Sequence, residues 1–345
     1  MDSRRRTREP LRTKQAQPDA KKGGKTVKKI ALAVLAGAML AGTALAGSAQ
    51  AANVGVSMAQ FDDNFLTVLR NGMIDYAKTL KGVNLQVEDG GNDVNKQLSE
   101  VQNFVASKVD AIIVNPVDTS ATAAITKLAS DAKIPLVFVN RQPANLSSLP
   151  ANEAFVGSNE ADSGTLETKQ ICKLLKDAGK GSGANVYVME GQLNNQAAVQ
   201  RTQDVKDVIA TPDCNFIKII DLQTADWSRD KAQSLMSNWL TAGTPYDAVI
   251  SNNDEMAIGA IQAMKAAGVD TKKAIIGGVD ATQDALASMK AGDLKVTVFQ
   301  DAAGQGKGAL DAALAIAGGK KVDQTIYVPF QLVTPDNMAN YMAKN

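Results

Sequence analysis

NVGVSMAQFDDNFLTVLRNGMIDYAKTL, residues 53–80, compresses three kinds of segment into one short stretch. The opening NVGVSMA is an apolar run with valines at alternate positions, the signature of a strand. Further on, Phe65, Leu69, Met73, Ala77 and Leu80 recur at three- and four-residue steps, so the segment from Phe65 reads as a helix with one apolar face. Between the two stands FDDNF (61–65), two carboxylates and an amide flanked by aromatic rings. An Asp or Asn there caps the unpaired N–H groups of the first helical turn. A cap accounts for one residue of the five.

The same strand-then-helix alternation continues to the end of the chain. Strand-like runs recur as NLQVEDG, AIIVNPV, PLVFVNR and AFVGSN, then as NVYVMEG, FIKIIDL, DAVISNN, AIIGGVD, VTVFQD and TIYVPFQLV, with helix-period segments between them. Apolar strands alternating with helices predict an α/β fold of parallel sheets covered on both faces, here enough for two doubly wound lobes. Most of the strands end in polar residues: Asp62-Asp63-Asn64, Asn115, Asn140-Arg141, Asn252-Asn253-Asp254, Asp280 and Gln300-Asp301. Taken singly, each reads as a turn former or helix cap. In open parallel sheets the carboxyl ends of the strands form the ligand crevice, so the recurrence points to one shared site.

Composition narrows what that site does. The chain has 345 residues, 45% hydrophobic and 21% charged, enough for a large core and two domains. With 37 Lys and Arg against 36 Asp and Glu, nothing calls for nucleic acid as a partner. The absence of histidine removes Ser-His-Asp hydrolysis and histidine metal sites, and no GxSxG elbow occurs. GKGSGAN (179–185) and GQGKGAL (304–310) lack the lysine-then-Ser/Thr of a phosphate loop, and DGGNDVNKQ (89–97) has the wrong spacing for a calcium loop. No metal and no cofactor is expected. A glycosidase pair of Asp63 and Asp280 stays open, but amides and arginines predominate, and these grip hydroxyls without reacting with them.

Residues 1–51 read as a basic extension followed by a secretory signal. IALAVLAGAMLAGTALAGSAQA begins at Ile30 after a lysine-rich stretch and ends Ala49-Gln50-Ala51, which predicts cleavage after Ala51 and an acidic mature body. An uncleaved anchor is the alternative, disfavoured because the most apolar part falls short of the roughly 20 residues of a full span. VKKIALAV would itself start an ordinary signal, which marks residues 1–26 as an upstream extension. An oxidising compartment favours pairing of the only two thiols, Cys172 and Cys214, although sequence does not bring their α-carbons together.

FDDNFLTVLRNG (61–72), VNPVDTSA (114–121), IPLVFVNRQP (134–143), FVGSNEADSG (155–164), QTADWSRDKA (223–232), NNDEMAIGAIQAM (252–264), GGVDATQDAL (277–286) and VTVFQDAAGQG (296–306) carry a resemblance. In order and spacing they resemble the periplasmic sugar-binding proteins of the ribose and galactose/glucose cluster, which serve ABC importers, with the inositol- and rhizopine-binding branch among them. The likeness runs from about Asn53 to near the end of the chain. It implies a type I periplasmic binding protein: two Rossmann-like lobes joined by three crossings, with the ligand in the cleft. The N-terminal lobe would be 52–157 and 302–329, and the C-terminal lobe 158–301 and 330–345. The crossings would fall near Gly157–Asn159, Gln300–Ala302 and Pro329–Gln331. Carried over by position, it implies ligand contacts from Asp63, Phe65, Asn115, Asn140 and Arg141 on one side. Arg201, Trp227, Asn253 and Asp280 would supply the other, with Gln300 near a hinge, and Phe65 and Trp227 would cover the apolar faces of a ring.

The resemblance also implies a monomer in the periplasm that closes on a small-molecule sugar or cyclitol and presents it to a membrane ABC permease, with a chemoreceptor as a further partner. Asn140-Arg141 follows the galactose/glucose pattern and Gln300 the ribose pattern, while NNQAAVQR (194–201) keeps Arg201 but has Asn195 and Ala197 where hexose-binding relatives carry polar contacts. This hybrid suits a six-membered polyol such as an inositol or inosamine. The alternatives are a galactose/glucose or ribose receptor also serving chemotaxis, and an exported carbohydrate-active enzyme. A repressor of the same fold would begin with a helix-turn-helix where this chain has its signal.

Overall fold

The computed structural model describes residues 51–345; the leader reading lies outside them. The first half builds a parallel sheet from β1 (Ala52–Met58), β2 (Val83–Asp89), β3 (Ala111–Val114), β4 (Leu136–Asn140) and β5 (Glu153–Gly157), ordered β2-β1-β3-β4-β5. Helices α1 (Asn64–Thr79), α2 (Val94–Ala106) and α3 (Thr122–Ala132) connect the first four strands. These strands are apolar at successive positions because both faces are covered. Ile113, Val137 and Val139 pack with Leu69 of α1, while Ile112, Leu136 and Phe138 pack with Phe104 of α2 and Ile125 of α3.

The second half repeats the plan. α4 (Glu160–Asp177) leads to β6 (Ala184–Glu190), α5 (Gln196–Ile209), β7 (Ile217–Thr224), α6 (Arg229–Ala242), β8 (Ala248–Ser251), α7 (Asp254–Ala266), β9 (Ile275–Ile276), α8 (Gln283–Lys290) and β10 (Thr297–Phe299). The sheet runs β7-β6-β8-β9, and bridges Gly277–Val296 and Asp280–Phe299 carry it on to β10. α9 (Ala302–Ala317) then returns to the first lobe, where its Ala309 and Leu310 join the same core as Leu69 and Met73 of α1. The alternating strands and helices expected from the sequence are present in both lobes.

The run TIYVPFQLV, read above as one strand, is two. β11 (Thr325–Tyr327) adds in parallel to β5 in the first lobe, and β12 (Gln331–Val333) pairs antiparallel with β10 in the second. Pro329 divides them because it has no N–H for a ladder bond. The chain therefore passes between the sheets three times: after β5, between β10 and α9, and between β11 and β12.

Cys172 on α4 and Cys214 before β7 are joined by a disulfide, their α-carbons 5.8 Å apart. Among the described residues, no helix is long and apolar enough to cross a membrane, and no cluster of three or more His, Cys, Asp or Glu could hold a metal ion.

Candidate functional site

The strand ends converge on one cavity between the lobes. Asp63 and Phe65 follow β1, and Asn140 and Arg141 end β4; from the other lobe, Arg201 follows β6, Trp227 follows β7, Asn253 follows β8 and Asp280 follows β9. Gln300 lines it from the second passage. The cavity offers about 40 Å³ in which the centre of a water molecule could move. A sphere of that volume, widened by water's ~1.4 Å radius, is roughly 7 Å across, the breadth of one hydroxylated ring. The lobes touch beside it: Asn64 Nδ2 donates to Glu255 Oε1 at 2.8 Å, and the Thr119 N–H to the Asn194 carbonyl at 3.1 Å.

Local chemistry fixes most of these side chains twice over. Asp63 caps α1, Oδ1 accepting from the Leu66 N–H at 2.8 Å, and also lines the cavity. The cap sets the direction of a carboxylate that also borders the cavity. Asn253 likewise caps α7 by accepting from the Met256 N–H at 3.0 Å. Arg141, 3% exposed, donates to the carbonyls of Pro116 and Val117. Burial pulls its guanidinium down to about 10 against the opposing pull of Asp63.

Arg201 is the hub of the second lobe. Its Nε donates to Glu160 Oε2 at 2.8 Å, Nη1 to the Asn252 carbonyl at 2.7 Å and Nη2 to Gln300 Oε1 at 3.3 Å. The guanidinium lies 5.6 Å from the Trp227 ring centre and 5.7 Å from that of Phe330 in the third passage, within cation–π range. Burial lowers its pKa, but Glu160 and Asp280 outweigh burial and leave it above the ordinary value. Trp227 and Asp226 both have left-handed backbone, φ 64° and 54°, and the indole crosses Gly191 so closely that a Cβ there would sit 2.2 Å from ring carbons. Glycine at 191 leaves room for the aromatic wall.

Some polar groups of the lining residues have no partner. Gln300 Nε2 and Trp227 Nε1 are buried donors without a partner, and the Asp280 carboxylate accepts no hydrogen bond from the described residues. Burial pushes Asp280 well above its ordinary pKa; Arg201 pulls it down, and Asp254, Asp63 and Glu160 push it further up. Leaving such groups unsatisfied carries a cost.

Asn115 is the one expected contact that does not line the cavity. It lies behind the wall, donating to Asn140 Oδ1 at 3.2 Å. Asn140 in turn donates to Gln305 Oε1 at 3.1 Å, and Gln305 to Ser158 Oγ in the first passage at 2.9 Å. Glu160, Leu66, Asn195 and Ala197 line the cavity in addition to the expected set. Asn195 and Ala197 were legible as departures in NNQAAVQR. Glu160 was not, because an acid in a first helical turn looks like an ordinary dipole partner.

A layer of buried acids underlies the second lobe's wall. Burial raises Glu167 to about 8, opposed by the Ser251 N–H and Arg201, and Asp254 to about 7, opposed by Thr297 and the Thr282 N–H. These acids bind protons more tightly folded than unfolded. Their stability contribution is whole below the ordinary carboxylate range, near pH 4, and is lost as pH rises through about 7 to 8. Denaturation at pH 5 and pH 8 should therefore show a more stable protein at pH 5. Glu167→Gln should remove on the order of 2 kcal/mol of the difference; an unchanged difference would exclude Glu167 as its source.

Two doubly wound lobes enclosing one polar, aromatic-walled cavity define a two-lobed solute-binding protein. Residues 54–321 match the family model of the periplasmic binding protein domain, and the chain belongs to that family. It is 59% identical, over 86% of its length and 94% of the relative's, to a putative rhizopine-binding protein of Rhizobium meliloti. A ribose import binding protein of Bacillus subtilis is 31% identical over 81% of this chain and 87% of its own. The crystal structure of a solute-binding protein from Bacillus halodurans with bound myo-inositol aligns with a TM-score of 0.80 and 38% identity, covering 87% of this chain and all of the other. The Caulobacter myo-inositol binding protein bound to myo-inositol aligns with a TM-score of 0.75 and 29% identity, covering 87% and 100%.

Proposed function

We propose that this chain, exported and cut after Ala51, captures one cyclitol ring of the inositol type by closing its lobes at the three passages, and presents it to a membrane ABC permease. One observation carries the reading: the cavity walls come from both lobes, so a guest stabilises the closed form to the extent that it touches both at once. Phe65 and Trp227 cover the C–H faces of the ring, while Asp63, Asn140, Arg141, Arg201, Asn253, Asp280 and Gln300 meet its rim. The unpartnered Asp280 carboxylate also suits the nitrogen of an inosamine. The likeness to the named rhizopine-binding relative and to two structures holding myo-inositol supports a cyclitol over a hexose or pentose. The protein acts as a monomer and returns its ligand chemically unchanged, and a chemoreceptor is a further reader of the closed form.

Calorimetry with myo-inositol, other inositols, glucose, galactose and ribose tests this. At least one cyclitol should bind more tightly than any of the three sugars; submicromolar glucose or galactose with no response to an inositol would overturn the ligand class. Recovery of altered ligand after incubation would overturn the binding-only role. Trp227 should report the event, since it lines the cavity whereas Trp239 is stacked on Tyr187 in the core at 4.2 Å. Trp227→Phe should remove most of the ligand-induced fluorescence change, and a surviving signal would displace Trp227 as the stacking wall.

A further inference from the structure

The last turn of the described chain reaches back to the cavity. Asn345 Nδ2 donates to the carbonyls of Asp280 and Gln300, each at 2.7 Å, and its Oδ1 accepts from the Ala302 N–H at 3.3 Å. Two carbonyls need donors and one N–H needs an acceptor, so the amide is held in one orientation. Tyr341 anchors this segment, its ring 5.1 Å from Phe299 and its hydroxyl donating to Gln331 Oε1 at 3.0 Å. One clamped residue, Asp280, and its neighbour Ala281 have unusual backbone. Asp280 has φ 126° and Ala281 φ 53°, backbone that L-residues rarely hold without support. The N–H groups here are held from within the lobe, Asp280 to the Val298 carbonyl at 2.8 Å and Ala281 to Thr297 Oγ1 at 3.1 Å, but apart from Asn345 the Asp280 carbonyl accepts only a 3.3 Å bond from the Gln300 N–H.

We propose that Asn345 is a positioning residue for ligand binding: by holding the Asp280 and Gln300 carbonyls it sets the directions in which those two side chains enter the cavity. The inference rests on the reading that both side chains meet the ligand. Its effect runs through backbone, so Asn345 touches no guest itself, and because it also holds the Ala302 N–H it ties the cavity wall to the second passage between the lobes.

Asn345→Asp keeps the shape but sets a carboxylate against two carbonyl oxygens; Asn345→Ala removes the amide without that repulsion. With myo-inositol as the calorimetric probe, Asn345→Asp should weaken binding about tenfold or more, and Asn345→Ala by less. The loss should shrink when Asp280 is already alanine, leaving only the part that runs through Gln300, and should persist in full in an Asp63→Ala background, because coupled residues are non-additive and distant ones additive. Equal losses in both backgrounds would mean a general structural role and overturn the proposal, as would wild-type affinity in Asn345→Asp. Amide exchange at Ala302 gives a ligand-free readout: it should speed up in Asn345→Ala, which removes the acceptor of that N–H, and by less in Asn345→Asp, which keeps a carboxylate oxygen there. Faster exchange alongside wild-type protein that ignores myo-inositol would support the clamp while overturning the cyclitol reading; unchanged exchange would overturn the clamp.

Discussion

Arg201→Met is expected to cost the empty protein about 3–5 kcal/mol and to abolish ligand binding. The guanidinium is 4% exposed and holds Glu160 through Nε at 2.8 Å and Nη2 at 3.3 Å. Without it, Glu160 keeps only the hydroxyl of Ser163 at 3.2 Å, a buried carboxylate with no cation. The loss comes from that stranded charge more than from the missing pair, since a buried ion pair as a whole is worth little over an apolar substitute. The double change Arg201→Met with Glu160→Met should therefore recover much of the stability and none of the binding. Urea denaturation of the three proteins decides it: a single variant within about 1 kcal/mol of the wild type would remove Arg201 from the structural role assigned to it.

Asp280→Ala should weaken binding by about 2–4 kcal/mol, the scale for deleting a charged hydrogen-bond partner in a buried site. The empty protein should gain stability. Burial and the neighbouring Asp254, Asp63 and Glu160 already hold the Asp280 carboxyl well above its ordinary range despite Arg201, so its ionised form is a burden until a guest reaches it. Asp63→Ala provides the contrast. It should weaken binding on a similar scale but lower apo stability by about 0.5–2 kcal/mol, because the same carboxylate caps α1 through the Leu66 N–H. Denaturation and calorimetry on both variants separate the roles. Opposite signs of the stability change are expected; a large apo loss in Asp280→Ala would make that residue structural and leave the cavity without its free acceptor.

Much of this arrangement was written locally. Leu69, Met73 and Ala77 are on the buried face of α1, as their spacing implied; Phe65 at the helix mouth joins the same core, and Leu80 lies just past the helix end and is only partly buried. Asp63, Asn140, Asn253 and Asp280 lie where strands end, and strand ends in parallel sheets open on one crevice. Asn115 occupies the same kind of position yet points behind the wall, because its amide is taken by Asn140 and the Val139 carbonyl. No local pattern separates an amide that lines a cavity from one that supports its neighbour.

The amino-acid sequence by itself determined the α/β class, the repeated lobe plan and most of the polar rim. These depend on period-2 and period-3.6 burial and on turn chemistry, which act over a few residues. Tertiary structure decided the remainder. Glu160 becomes part of the cavity wall because Arg201, 41 residues further on, is brought against it. TIYVPFQLV is shared between two sheets because Pro329 interrupts it where the lobes separate. The Asp280 backbone is held by an amide 65 residues away. Each depends on a contact whose partners are distant in sequence, and a buried charge or a bent backbone is satisfied by whatever the fold places beside it, which no short-range pattern encodes.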